Sequence, residues 1–119
     1  MIAELITLLR KKTKYKYCLG GTDKLENCVV YSYNDVYNDN IKKSARLTFN
    51  IITKGLTENS AIKAEEMKNK INSVILTFGD EPLTNKILSV VQNGGGQLEN
   101  SETQTLHTII YYDVIYKAR

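Results

Sequence analysis

Few residues in this chain have the type and spacing to do chemistry. His107 is the single histidine. The nearest acid on its strand face is Asp113, six residues on. At about 3.3 Å per residue the two stand roughly 20 Å apart within a strand, too far for a base and its orienting acid. Cys18 and Cys28 supply two thiols, short of the four ligands of tetrahedral zinc even with His107 added. Their spacing is neither that of a redox pair nor of a disulfide framework, so reduced thiols are expected, with Cys28 a small core residue at the head of a strand. Gly94-Gly95-Gly96 lacks the following Lys-Ser or Lys-Thr of a phosphate cradle and opens no helix. It reads as a hairpin turn. Asp35 and Asp39, with Asn34, Asn38 and Asn40, lack the glycine and terminal Glu of a calcium loop. Asp80, Glu81 and Asp113 are the remaining dispersed acids of an enzymatic reading. No catalytic, cofactor or metal set emerges, and the chain is expected to work by binding.

Two patches suit that purpose. Lys11, Lys12, Lys14 and Lys16 interleave with Tyr15 and Tyr17, a pattern able to hold a polyanion if the rings are free to stack. Tyr33 immediately precedes, and Tyr37 lies within, a polar stretch from Asn34 to Ser44, where they can anchor a partner at low entropic cost.

The elements that must position these residues are legible in the hydrophobic pattern. Ile2, Leu5, Ile6, Leu8 and Leu9 recur at helical spacing, with Glu4 early and Lys11 and Lys12 late, which suits the helix dipole. A basic stretch that follows the apolar one has the wrong order for a secretory signal. Gly20-Gly21 breaks the chain before Cys28 to Tyr33, a β-branched and aromatic strand. Asn34 to Ser44 is expected to be a long surface loop. From Arg46 to Lys54 the residues Leu47, Phe49 and Ile51 alternate against Arg46, Thr48, Asn50 and Ile52, the period of a strand with one dry face.

Thr57 and Ser60 offer hydroxyls for a helix start. Ala61, Ala64, Met67, Ile71, Val74, Ile75 and Phe78 then recur on one side, with Lys63, Glu66, Lys70 and Asn72 on the solvated side. Gly79 to Pro82 stops this helix, Lys86 to Gln92 reads as a strand, and Gly94 to Glu102 as a loop. In the last strand, Thr103 to Lys117, Ile110, Tyr112, Val114 and Tyr116 face one way and Ile109, Tyr111 and Ile115 the other. A strand apolar on both faces is central or packs on a second chain.

With 119 residues and a formal charge of +3, the chain is expected to form one domain over residues 1–119, too weakly basic for a dedicated nucleic-acid coat. No apolar run approaches the roughly 20 residues of a membrane span. The expected fold is α+β: a mixed, mostly antiparallel β-sheet of four or more strands with two helices packed on one face.

This order of elements resembles the tail-terminator family of long-tailed bacteriophages, also called tail completion or minor capsid proteins. The resemblance rests on the short N-terminal helix, Leu19-Gly20 followed by Glu26-Asn27-Cys28-Val29-Val30-Tyr31, the strand Leu47 to Thr53 running into a helix, and the late glycine segment before a tyrosine-rich last strand. Where members of that family often carry a proline and a glycine pair around the first strand, this chain has Lys24-Leu25 and Asn34-Asp35.

The resemblance implies a structural virion protein, not an enzyme. Such a protein forms a ring, usually of six, on the head-proximal end of the tail tube after assembly in the host cytoplasm. Its partners would be further copies of itself, the major tail tube protein and a head-completion or connector protein, with DNA passing through unread. The residues expected at partner or subunit contacts are Tyr33, Tyr37, Asn38, Asp39, Gly95 and Gln97, and Lys11, Lys12, Lys14 and Lys16 are expected to meet polyanion. The competing reading is a small nucleic-acid-binding module that uses sheet tyrosines and the lysine cluster.

Overall fold

A computed structural model describes residues 2–20, 27–38, 42–76 and 87–117. The elements run α1 (Ile2–Thr13), β1 (Tyr17–Leu19), β2 (Cys28–Asn38), β3 (Lys42–Lys54), α2 (Glu58–Leu76), β4 (Ile87–Asn100) and β5 (Thr105–Lys117). The strands form a single mixed sheet in the order β1-β2-β3-β5-β4. Only β1 and β2 pair in parallel; the other neighbours are antiparallel. The expected α+β architecture is therefore present, and β5 is an interior strand between β3 and β4, in keeping with its two apolar faces.

Local chemistry explains the element ends. In α1 the Thr13 hydroxyl donates to the Leu9 carbonyl at 2.7 Å, and Lys14 leaves the helix at φ 62°. At the start of α2, Thr57 and Ser60 each donate a backbone N–H to the other's hydroxyl at 3.3 Å, a reciprocal cap that satisfies two otherwise orphaned amides.

Both helices pack on the same face. Leu5, Ile6, Leu8 and Leu9 of α1 and Met67, Ile71 and Ile75 of α2 are buried against Val29, Leu47, Phe49, Ile51, Ile110, Tyr112 and Val114 of the sheet. Phe49 lies at the centre, edge-on to Tyr17 (centroids 6.4 Å) and to Tyr112 (5.8 Å). The quadrupoles of the rings favour such T-shaped arrangements. The Tyr112 hydroxyl donates to Asn72 of α2, so Asn72, expected on the solvated side, instead ties the helix to the sheet. Phe78 lies outside the described residues.

Two expected loops are strands. Asn34 to Asn38 and Lys42 to Ser44 extend β2 and β3 into one long hairpin, with register kept through Asn38↔Lys43 and a bulge between Asp35 and Tyr37. Asparagine and aspartate disfavour strands only weakly, and cross-strand pairing overrides that preference. The triple glycine is likewise not a turn. It lies inside β4, where a bulge between Gln92 and Gly95 absorbs Gly94 at φ 89°, and the reversal comes later at residues 101–104. Gly95 is required there because a Cβ would sit 2.3 Å from the Ile109 carbonyl oxygen, whereas a Cβ on Gly96 would meet nothing within 4 Å.

Candidate functional site

Among the described residues singled out for chemistry, His107 and Asp113 are held by structural partners. His107, half-buried on the sheet face opposite the helices, accepts from Asn50 Nδ2 at Nδ1 (3.0 Å). Its Nε2 then carries the proton and donates to the Thr105 hydroxyl (3.0 Å), which is 2.7 Å from that of Thr103. Burial lowers the pKa of this imidazole by disfavouring the charged ring. Asp113 is occupied elsewhere: Arg46 Nε donates to it at 3.2 Å and Asn93 Nδ2 at 2.7 Å. The histidine and the acid thus share a face but not a site.

Cys28 is fully buried beside Val30 and Ile52 on that same face. Cys18 is half-buried, and both are free thiols. Among the described residues no three histidines, cysteines or acids gather as metal ligands; Asp39, Asp80 and Glu81 lie outside them.

The lysine and tyrosine patch separates into two parts. Lys11, Lys12, Lys14 and Lys16 are exposed around the end of α1 and the start of β1. Tyr17, expected as a stacking ring, is core. Its hydroxyl is 2.8 Å from that of Thr13, and burial pushes its pKa up to about 12. Tyr15 is half-buried, with the Lys63 and Lys70 ammonium groups 5.9 and 5.7 Å from its ring centre. A ring already engaged by two cations is a poor platform for a nucleobase. The pattern misled because alternation at the entry to a strand puts every second residue inside.

The residues expected at partner contacts occupy two places. Tyr33 is 47% exposed on the helix-side face, beyond the reach of the helices. It neighbours Tyr116, whose pKa is raised by burial first and then by the nearby Asp35 and Tyr33. Tyr37 and Asn38 lie further along the same hairpin, paired with Ser44 and Lys43. Gly95 and Gln97 lie far away on the sheet edge β4 and line an open polar cleft of about 520 Å³ between that strand and Glu65 and Lys68 of α2. The hairpin and the glycine strand are therefore two surfaces, not one.

Sequence reasoning missed the open face and the edges. On the open face Val30, Thr48, Ile109 and Tyr111 border a shallow groove of about 250 Å³. Leu19 at one edge and Leu98 and Val91 at the other are 66%, 63% and 57% exposed. The outward Ile109, Tyr111 and Ile115 of the last strand signalled the open face; nothing in one sequence shows which strands will be edges.

No family model matches the chain, and no curated protein matches it. Among solved structures, a chain from the virion of a native gene transfer agent particle superposes with a TM-score of 0.63 at 9% identity. The match covers 96% of this chain and 84% of that one. At so low an identity the two share a fold.

Proposed function

We propose that this chain is a non-enzymatic structural subunit of a phage-like virion: the terminator that caps the tail tube, stops its elongation and forms the tail side of the head–tail joint. The observation that carries this reading is the near full-length fold shared with a chain of a gene transfer agent virion. The residue pattern of the tail-terminator family points to the same place. The described surface also suits the role. His107, Asp113 and Cys28 serve packing and hydrogen bonding, while apolar side chains stand exposed at both sheet edges.

In this role the subunit assembles as a ring, of six by family resemblance, between the major tail tube protein and a head-completion protein. DNA passes through the ring without sequence readout. The exposed lysines around the end of α1 are enough for contact with a polyanion, and a net charge of +3 does not demand more. Deleting the gene is expected to leave separate heads and overlong or unstable tails under electron microscopy, restored by the chain in trans. Normal particles from the deletion strain would refute the proposal.

A further inference from the structure

The two edges of the sheet are chemically unlike, and the register places their matching parts at the same height. Cys18 of β1 pairs with Val30, Val30 with Asn50, Asn50 with Ile109, and Ile109 with Gly96 of β4. Cys18 and Gly96 therefore stand on one row at opposite edges. β1 and β4 run in opposite directions, so two residues down that row Lys16 is level with Leu98, on the same open face. One step up, Leu19 is level with Gly95.

At the lower end the β1 edge is basic, with Lys14 and Lys16 exposed beside Lys11 and Lys12. The β4 edge is acidic there, with Glu99 and Glu102 exposed. Each edge also carries an exposed leucine, Leu19 and Leu98. Natural sheets shield long edges with lysine or proline. Over Ile87–Asn100 β4 has neither, and Gln92–Glu99 are exposed.

We infer that the β4 edge of one copy docks against the β1 edge of a second copy, head to tail. Leu19 meets the glycine segment at Gly95, Leu98 lies along the stem of Lys16, and Glu99 and Glu102 meet Lys14 and the Lys16 ammonium. A rotation that keeps height brings these rows together, and a heterologous contact repeated by such a rotation closes into a ring when the angle is a whole fraction of a turn. The β1 edge is partly capped, because Arg10 Nη2 already donates to the Tyr17 carbonyl at 3.0 Å. Side chains therefore dominate the contact, and it weakens as salt screens the lysine–glutamate pairs.

The inference deepens the ring in the proposed function and rests on that reading. Its test is oxidative cross-linking of the full chain at high concentration, using Lys16→Cys and Leu98→Cys in a Cys18→Ser background. The double variant is expected to give a ladder beyond dimers, while each single variant gives at most a trace of dimer. Adding Glu99→Lys and Glu102→Lys should cut the ladder at least about tenfold, and moving Lys14→Glu into that chain should partly restore it. No ladder, or dimers formed equally by a single variant, overturns the edge contact. No ladder alongside separated heads and tails in the deletion strain overturns the edge contact alone. A ladder alongside normal particles overturns the tail-cap reading alone.

Discussion

The two faces of the sheet are built from the same strands yet solve different problems. Under the helices, Leu47, Phe49, Ile51, Ile110, Tyr112 and Val114 are almost wholly removed from water. The hydrophobic effect there scales with area and does not depend on direction. Across the same strands, the open face alternates Ile109, Tyr111 and Ile115 with directional pairs, Arg46 with Asp113 and Asn50 with His107. That face pairs most of its polar groups, Asn50 Oδ1 being left without a partner, and keeps Ile109, Tyr111 and Ile115 only half-buried. One side therefore supplies most of the stability, and the other, with its two edges, is where the proposed contacts would form.

Substitutions divide along the same line. The largest loss is expected from Phe49→Ala, which empties the centre of the Tyr17–Phe49–Tyr112 stack and should cost about 3–5 kcal/mol in urea unfolding. If Tyr111→Ala cost as much, the open face would stabilise the fold as much as the covered one and the contrast would fail. At the glycine bulge, Gly95→Ala drives a methyl into the Ile109 carbonyl, while Gly96→Ala points into open space. Overpacking predicts a loss of about 1–3 kcal/mol for the first and near neutrality for the second, with hydrogen exchange rising in β4 for Gly95→Ala alone.

A smaller effect belongs to His107. Because burial lowers its folded pKa, the unfolded chain binds the proton first as pH falls. The contribution is whole above the ordinary value of about 6.5 and declines below it, until the folded form also protonates. Unfolding midpoints measured through that window should slope less in His107→Gln than in the parent; an unchanged slope would assign the pH response to other groups. Smallest of all is Arg46→Ala. Its ion pair is half exposed, and Asp113 keeps Asn93. About 0.2–1 kcal/mol is expected, shrinking further in high salt.

By itself the sequence determined which residues alternate and which recur at helical spacing. From those periods follow both helices, the dry face of Leu47, Phe49 and Ile51, and two apolar faces on the last strand, which left it either interior or packed on a second chain; the hydroxyls of Thr57 and Ser60 marked the cap. Hydrophobic period is a local property, so it survives without knowledge of neighbours. Tertiary structure alone decided where strands stop, which tyrosines are buried and which edges stay bare. Asn34 to Ser44 and the triple glycine read as loops because their residue types favour turns, yet for Asn34 to Asn38, Lys43, Ser44 and the glycines partner strands supplied pairing that a local reading cannot see. Tyr17 became core, and Leu19 and Leu98 became exposed edges, only when the order β1-β2-β3-β5-β4 was set. Burial and edge status depend on contacts between residues distant in sequence, which no local pattern encodes.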